Sequence, residues 1–510
     1  MPIAPPRSTL PALLISLLLS ACSATAGERD TWPPAWQDAP PNAAVDFTPP
    51  AFEAPSATHC HRLPSTREVP GGGREQADGR RRGEAEMLSR KVLPGASARS
   101  EAAGAAPLAA PVAEAPAMAD AARSAPKPQP DAPPRPPRET VTAGMVDDNA
   151  DFGEYLAYRQ RTGQLPVRER DISERYLLEV TDAQGRPVHD AEVAVQRPGI
   201  AQPVAWARTD TAGRVWLHPR AFLSPELNGE RTLGVAVRKN GVQSRALLTR
   251  GQANAVQVRL GVANNAPVRL DLVFLIDATG SMGDEIAKLK ASMRAMAQQI
   301  SQLPGQPDIC YGLVAYRDRG DAFITRTHDF TDDLGAFQQQ LANVQAHGGG
   351  DTPEALNEAL HEVVHGLSWR TQAARMVVLV ADAPPHLDYG GCTAAPDTYG
   401  VSPPRGQRAV LGRPGDCPQY DRDMQAALAK GIKLFAVGAS GLDPVGEYIY
   451  RQMAQYTAGR FVFLTYRDAA NPGSGPGDKT LHDVKQYSVQ TLDKLVVRLV
   501  SDELARLKRS

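Results

Sequence analysis

The residues 270–286, LDLVFLIDATGSMGDEI, constrain the fold of this chain more than any other stretch. The first part of this stretch is apolar except for Asp271, and such a run predicts a strand that is buried on both faces of a parallel sheet. The run stops at Asp277, and Ile286 and Leu289 then begin a series of apolar residues at helical spacing. Since open α/β sheets bind their ligands at the carboxyl ends of such strands, we expect a ligand site around Asp277.

The alternation of strand and helix continues downstream. Apolar runs predict further strands at 309–316, 323–327 (an edge strand), 376–380, 432–437 and 461–464. Helical patterns predict helices at 330–344, at 353–367 and near 446–456, with a final amphipathic helix over 480–510. The expected fold class is therefore α/β, with a doubly wound, mostly parallel sheet flanked by helices over residues 268–470.

Three oxygen-bearing side chains follow the first strand at alternate positions. Asp277 offers a carboxylate, and Thr279 and Ser281 offer hydroxyl groups. Magnesium prefers about six oxygen ligands and keeps several of its waters, so this donor set suits it. Because the donor set carries a single charge, the cation stays electrophilic and still attracts a carboxylate from outside the chain.

Asp277-x-Thr279-x-Ser281 after an apolar strand resembles the metal-ion-dependent adhesion site of von Willebrand factor type A domains. The resemblance implies a Rossmann-like fold that binds Mg²⁺, Mn²⁺ or Ca²⁺ and recognises an acidic residue of a protein partner. It also implies that Asp382, after the strand at 376–380, holds the metal through water. By this resemblance the domain is a binding module and not an enzyme.

A glycine-rich loop at 347–356 supplies the remaining candidate ligands. Many type A domains place a threonine ligand in this loop, but Gly350 lies at that position here, and Thr352 follows two residues later. The run 351–354 more closely resembles the acidic loop of integrin β-subunit type A domains, in which the glutamate reaches the metal. Thr352 and Glu354 are therefore both candidate ligands.

Residues 1–22 resemble a bacterial lipoprotein signal peptide. A short apolar run ends in the letters LSAC, which are similar to a lipobox. The resemblance implies a lipid on Cys22 and a location in the cell envelope, at the outer membrane. Residues 23–140 are rich in Pro and Ala and predict a disordered tether. Residues 141–172 predict a short helical linker. The net charge of −1 argues against nucleic acid as a partner.

Residues 173–262 combine short alternating runs with turn sequences, and this pattern predicts a small all-β sandwich. The pairing of VTDAQGRPV with a later TDTAGRV resembles carboxypeptidase-regulatory-like or bacterial immunoglobulin-like domains. Such domains are spacers or interaction modules, so the resemblance implies a structural role for these residues.

Two of the cysteines, Cys392 and Cys417, lie in a Gly- and Pro-rich insertion at 383–420. An exported protein favours their pairing as a disulfide. Cys310 lies within a predicted buried strand and is interpreted as a packed free thiol, whereas Cys60 receives no assignment.

The letters HEVVH at 361–365 match the H-E-x-x-H motif of zinc peptidases, in which a helix puts both histidines on one face. No third ligand is evident from the sequence, and the helix is already assigned to the fold after the glycine-rich loop. A zinc-dependent peptidase that uses His361, Glu362 and His365 is the alternative function, and the substitution Glu362→Gln would abolish its activity.

Overall fold

The computed structural model describes residues 60–73, 140–252, 255–262, 268–350, 352–387 and 418–507. The predicted signal peptide with Cys22, the predicted Cys392–Cys417 pair and most of the predicted tether lie outside these ranges. Those interpretations therefore stay predictions. Within the described ranges, no helix combines the length and the apolar composition that a membrane span requires.

The strands of these residues are, in chain order, β1 (Thr66–Pro70), β2 (Thr142–Val146), β3 (Tyr176–Thr181), β4 (Glu192–Gln196), β5 (Pro203–Arg208), β6 (Arg214–Leu217), β7 (Thr232–Lys239), β8 (Val242–Thr249), β9 (Val256–Arg259), β10 (Arg269–Asp277), β11 (Asp308–Tyr316), β12 (Phe323–Thr331), β13 (Ala373–Ala381), β14 (Ile432–Gly438), β15 (Arg460–Asp468), β16 (Asn471–Pro476) and β17 (Gln490–Thr491). The α-helices are α1 (Phe152–Arg161), α2 (Pro219–Phe222), α3 (Ile286–Ser301), α4 (Leu334–Asn343), α5 (Leu356–His361), α6 (Tyr420–Lys430), α7 (Pro444–Tyr456) and α8 (Leu492–Leu507). Shorter helical turns lie at Pro225–Leu227, Gly280–Asp284 and, with π geometry, Glu362–Gly366.

One large sheet forms the centre of the described fold, in the strand order β1-β12-β11-β10-β13-β14-β15-β2-β17, with β16 paired to β15. Strands β11, β10, β13, β14 and β15 run parallel, so that Leu270 lies between Ile309 and Ala374. The α/β sheet expected from the apolar runs is confirmed. The sheet is mixed, however, because the strands outside this parallel centre pair antiparallel.

Successive side chains of β10 enter two different core layers. Leu272 and Phe274 belong to the layer that contains residues of α3, α4 and α8, whereas Val273 and Leu275 belong to the layer that contains residues of α1, α5, α6 and α7. All four side chains are fully buried. Because helices cover both faces of the sheet, this strand is apolar at nearly every position, with no exposed side.

Strand β1 corrects the predicted tether of residues 23–140. It pairs antiparallel with β12, which is therefore not the edge strand that the sequence predicts. Glu68 forms an ion pair with Arg326 of β12, and Arg67 forms one with Glu362. The strand escapes prediction because it is short and mostly polar, and because its partner lies hundreds of residues away in the sequence.

Strand β2 corrects the predicted linker of residues 141–172, because it lies between β15 and β17 in the main sheet. A Cβ atom at Gly144 would lie 2.4 Å from the ring of Phe463, so only a glycine permits this close approach of the two strands. The remainder of the predicted linker contains α1, whose Tyr155 and Tyr158 are buried in the main core.

Two helices begin later than the sequence predicts. The predicted helix 330–344 begins at Leu334, because β12 continues to Thr331 and the side chain of Asp333 accepts hydrogen bonds from the first helical amides. The predicted helix 353–367 begins at Leu356, and its second half is the π turn. The delay leaves the residues before α5 in an irregular segment beside the predicted metal site.

Strands β3–β9 of residues 173–262 form two sheets, β6-β3-β9 and β5-β4-β7-β8, which share one apolar core. Buried ion pairs fix these sheets to the large one. Asp190 contacts Arg375 of β13 at 3.0 Å, and Lys433 of β14 contacts Asp210 at 2.9 Å. The small β unit is therefore packed rigidly against the large sheet, while its predicted family resemblance stays a prediction.

The sulfur atoms of Cys60 and Cys310 are joined, and their Cα atoms lie 5.9 Å apart. The interpretation of Cys310 as a free thiol is therefore wrong, because the segment that leads into β1 brings Cys60 against β11. The disulfide holds the start of the described chain on the outer part of the main sheet.

We expect loss of this disulfide to lower the temperature of unfolding, because the bond closes a loop of 250 residues and such bonds contribute about 2–4 kcal/mol to stability. Without reductant, Cys60→Ser should unfold at a lower temperature than the wild type in scanning calorimetry. Peptide mapping without reductant should recover Cys60 joined to Cys310. A map that pairs either residue with another cysteine would contradict the assignment.

Candidate metal centre

The three predicted ligands after β10 lie in a tight turn. Asp277 ends the strand, and the short helical turn Gly280–Asp284 follows it directly. Asp277 Oδ1 accepts hydrogen bonds from Thr279 N at 3.0 Å and from Thr279 Oγ1 at 2.7 Å. Both residues are fully buried, whereas Ser281 is exposed. The turn thus brings together three oxygen atoms that can bind a metal, two of them buried and one accessible.

Asp382 closes the site from the neighbouring strand. It follows β13, which pairs in parallel with β10, so the carboxyl ends of the two strands meet. Ser281 Oγ donates a hydrogen bond to Asp382 Oδ1 at 3.1 Å, and it lies 3.2 Å from Thr279 Oγ1. The structure therefore brings Asp277, Thr279, Ser281 and Asp382 together.

The glycine-rich loop docks on this turn through its backbone. His347 N donates to Ala278 O, and Gly280 N donates to Gly348 O, both at 3.0 Å. A Cβ atom at Gly349 would lie 2.9 Å from Glu354 Oε1 and 3.3 Å from Thr279 Cβ. The absence of a side chain at Gly349 therefore lets the carboxylate of Glu354 approach the metal-binding turn.

The structure distinguishes the two candidates of this loop. Thr352 is exposed, whereas Glu354 is only 3 % exposed, and its carboxylate lies beside Gly349, which Thr279 also approaches. Glu354 N donates to Pro384 O at 3.0 Å, which fixes the irregular segment before α5 against the loop that carries Asp382. Glu354 Oε2 is buried and has no hydrogen-bond partner among the described residues.

The carboxylates destabilise one another's charged forms. Burial, and then the charge of Asp382, raise the pKa of Asp277 to about 7. Burial, and then the charge of Asp277 and of three further aspartates, raise the pKa of Glu354 to about 9. Burial also raises the pKa of Asp382. Buried carboxylates of this kind need a proton or a nearby cation, and the donor set of carboxylates and hydroxyls fits a hard divalent ion.

Several residues at this site do not stand out in the sequence. Tyr316 Oη donates to Asp277 Oδ2 at 3.2 Å. Asp321 Oδ2 accepts from Gly349 N at 2.9 Å and so holds the glycine-rich loop, while His386 Nε2 lies 2.7 Å from Asp318 Oδ1. Tyr316 ends β11, and Asp318 and Asp321 follow it. Tyr316, Asp318 and Asp321 thus lie at the carboxyl end of the strand next to β10, and this position is the signal in the sequence that would have identified them.

The comparison with protein families agrees with this geometry. Residues 271–386 match the family model described as the von Willebrand factor A domain. The chain contains a von Willebrand factor A domain. The match begins in β10 and ends just after Asp382, so it includes every residue of the candidate metal centre. The main sheet continues beyond the match through β14 and β15.

Curated relatives resemble the chain over short stretches. The von Willebrand factor A domain-containing protein 7 of Homo sapiens is 39% identical over 89 residues, which are 18% of this chain and 9% of that protein. The alpha-protein kinase vwkA of Dictyostelium discoideum is 29% identical over 119 residues, which are 23% of this chain and 19% of the kinase. The chain thus spans less than a fifth of either relative.

The crystal structure of the conserved hypothetical protein BatB from Bacteroides thetaiotaomicron matches 47% of this chain and 100% of its own chain, with 12% identity and a TM-score of 0.28. The score is too low for this likeness to support a conclusion about the A domain.

The H-E-x-x-H residues of the A domain lie away from the metal centre. His361 ends α5, and His365 lies in the π turn that follows. Arg67 of β1 binds the carboxylate of Glu362, which is 5 % exposed. In a zinc peptidase this glutamate acts as the general base, so its engagement by an arginine disfavours the peptidase alternative.

Proposed function

We propose that the A domain binds a protein partner through a divalent cation of the Mg²⁺ type, held by Asp277, Thr279, Ser281, Glu354 and Asp382. The observation that carries this proposal is the convergence of three buried carboxylates. Burial is the largest cause of the raised pKa of each of these carboxylates, and neighbouring carboxylates raise it further. A bound cation provides the charge that such a cluster requires.

The residues divide into two roles. Asp277, Glu354 and Asp382 supply negative charge, and Thr279 and Ser281 supply neutral oxygens. A bound cation would offer an electrophilic position to a carboxylate of the partner. Ser281 is exposed, so the site is accessible from its side. Glu354 adds a charge to the donor set and thereby weakens the attraction for the partner's carboxylate, whereas exposed Thr352 is assigned no contact with the metal.

We also infer an envelope location. The apolar run and the letters LSAC that end at Cys22 support attachment of the chain to lipid, and the Pro- and Ala-rich residues that follow support a tether. In this arrangement a bacterial membrane holds the A domain through Cys22, and the metal centre serves adhesion, assembly or scaffolding at the envelope. Peptidase activity is not part of the proposal, because Glu362 is engaged by Arg67.

The metal centre is tested by calorimetric titration of Mg²⁺ and Mn²⁺ into the whole chain. For Mg²⁺ we expect a single binding site in the wild type and no binding in Asp277→Ala. Because Asp277 is a buried acid whose pKa is raised, its removal should leave the fold stable. Asp332→Ala removes an exposed carboxylate away from the candidate ligands and should bind like the wild type. Absence of binding in the wild type, or equal binding in Asp277→Ala, would refute the proposal.

A further inference from the structure

A second group of metal-ligating side chains lies at the opposite end of α5 from Glu354 of the candidate metal centre. His361 Nδ1 is 3.1 Å and His365 Nε2 is 3.0 Å from the same oxygen, Oδ1 of Asp423. The two imidazole rings have centroids 4.5 Å apart. Asp423 lies in the first turn of α6, so the structure supplies the third ligand that the H-E-x-x-H motif lacks in the sequence.

The arrangement of Asp423 is unusual for an ordinary ion pair. Both imidazole nitrogens approach one carboxylate oxygen, while the other oxygen, Oδ2, is buried and has no hydrogen-bond partner among the described residues. Asp423 is only 3 % exposed. An unpartnered oxygen on a buried carboxylate is unfavourable, and a cation bound to this carboxylate would reduce that cost.

The spacing of the three donors suits a tetrahedral transition metal. Zinc–nitrogen and zinc–oxygen bonds are about 2.0–2.2 Å long, so two ligands of a tetrahedral zinc ion lie about 3.3 Å apart. All three ligand atoms of this cluster lie within 4.8 Å of one another. The distances from His361 Nδ1 and His365 Nε2 to Asp423 Oδ1, 3.1 Å and 3.0 Å, are already close to the separation that zinc requires. Small rotations of the side chains would admit the ion.

We propose that His361, His365 and Asp423 form a binding site for a zinc-like transition metal ion, distinct from the oxygen-lined metal centre. Two imidazoles and one carboxylate select zinc and its neighbours over magnesium, which prefers oxygen ligands alone. The side chain of His365 is 36% exposed, whereas that of Asp423 is 5% exposed. The fourth coordination position therefore faces solvent and holds water.

The site is structural. Glu362, which would have to take a proton from the bound water in a peptidase, is bound by Arg67. The segment around the π turn is anchored on its other sides, since Trp369 Nε1 donates to Val363 O and Lys430 Nζ donates to Val364 O. A metal at the cluster links the end of α5 to the start of α6, two helices that lie on opposite sides of β13 in the sequence.

The test uses the whole chain without a histidine tag, in the presence of excess Mg²⁺ that competes with Zn²⁺ at the oxygen-lined centre. We expect calorimetry to show one equivalent of Zn²⁺, and Co²⁺ to produce the visible absorption bands of a tetrahedral complex. His365→Gln and Asp423→Asn should each weaken Zn²⁺ binding at least about tenfold. His365 is partly exposed, so its variant keeps the fold, and circular dichroism checks the fold of Asp423→Asn.

Matched controls separate this site from its alternatives. His61→Gln removes an exposed histidine elsewhere, and Asp277→Ala alters the other metal centre; both should bind Zn²⁺ like the wild type. Glu362→Gln should also keep Zn²⁺ binding. Failure of the wild type to bind Zn²⁺, or unchanged affinity in His365→Gln, would overturn the proposal. Zn²⁺-dependent peptide hydrolysis that disappears in Glu362→Gln would overturn the structural role.

Discussion

Replacing Glu354 by Gln is expected to stabilise the metal-free protein above neutral pH while weakening its binding of Mg²⁺. Burial and the surrounding aspartates raise the pKa of Glu354 to about 9 in the folded protein. The folded protein therefore retains a proton that the unfolded chain has already released. As pH rises from the unfolded pKa to the folded one, this difference lowers the free energy of unfolding. At pH 7 the loss is on the order of 3 kcal/mol, and glutamine avoids it because it does not titrate.

Urea unfolding with a chelator, at about pH 5 and about pH 8, measures this effect. The wild type should be less stable at the higher pH, and Glu354→Gln should reduce that difference. Glu358→Gln is the matched control on the same segment, because Glu358 is buried and forms a 2.7 Å ion pair with Arg319. That substitution should destabilise the protein. If the two substitutions destabilised the protein equally near pH 8, ionisation of Glu354 would not be lowering the stability of the wild type.

Mg²⁺ should make the wild type more stable than Glu354→Gln, which is the reverse of their order without metal. A cation that binds the ionised carboxylate displaces its proton, so Mg²⁺ binding to the wild type should strengthen as pH rises. Glu354→Gln should bind Mg²⁺ more weakly, with a smaller dependence on pH. Titration in two buffers of different ionisation enthalpy measures the number of protons released. An unchanged Mg²⁺ affinity in Glu354→Gln would remove this residue from the ligand set.

Replacing Asp190 by Ala is expected to cost about 3–5 kcal/mol, the usual cost of removing one partner from a buried ion pair. Asp190 Oδ1 lies 3.0 Å from Arg375 Nη1 and 3.1 Å from Arg208 Nη1, and Asp190 Oδ2 accepts from Gln372 N at 2.7 Å. Without the carboxylate, two buried guanidinium groups lose their shared counter-charge. The positive φ of 54° at Asp190 adds to the cost, because alanine adopts this conformation less readily.

The stabilisation that the Asp190 carboxylate provides depends on pH in a defined direction. Burial opposes ionisation of Asp190, but the charges of Arg375 and Arg208 outweigh it and hold the pKa of the carboxyl well below its usual range. The stabilisation is therefore complete above the ordinary aspartate pKa of about 3.9 and is lost as pH falls further. Asp190→Ala should abolish this component of acid sensitivity.

Chemical denaturation at neutral pH measures the cost of Asp190→Ala. Asp171→Ala is the control, because Asp171 forms an exposed ion pair with Arg220 at 3.3 Å and such pairs contribute about 1 kcal/mol or less. The wild type should unfold in a single transition, since the buried pairs couple the small β unit to the A domain. A cost for Asp190→Ala no greater than that for Asp171→Ala would contradict this coupling.

The parts of the A domain that the sequence predicts are those governed by local patterns. The apolar run of β10 requires burial on both faces, and the ends of adjacent parallel strands must meet, so Asp277 and Asp382 can be placed near each other without coordinates. The choice between Thr352 and Glu354 depends on where α5 begins, and helix ends are not fixed by periodicity. Asp423 escapes prediction because only the packing of α6 on α5 brings it to the histidines.

Two antiparallel pairings of the main sheet, β1 with β12 and β2 with β15, limit the order in which the protein can complete its fold. Thr66 of β1 contacts His328 of β12 at a separation of 262 residues, and Thr142 of β2 bonds to Thr465 of β15 at a separation of 323 residues. Chains are synthesised from the N-terminus, so β1 and β2 leave the ribosome long before their partners exist. Strand β1 must then stay unpaired until β12 (Phe323–Thr331) has been made, and β2 until β15 (Arg460–Asp468) has been made, which is close to the end of the 510-residue chain. Closure of the sheet is therefore a late event after synthesis, and such long-range pairing predicts slow folding.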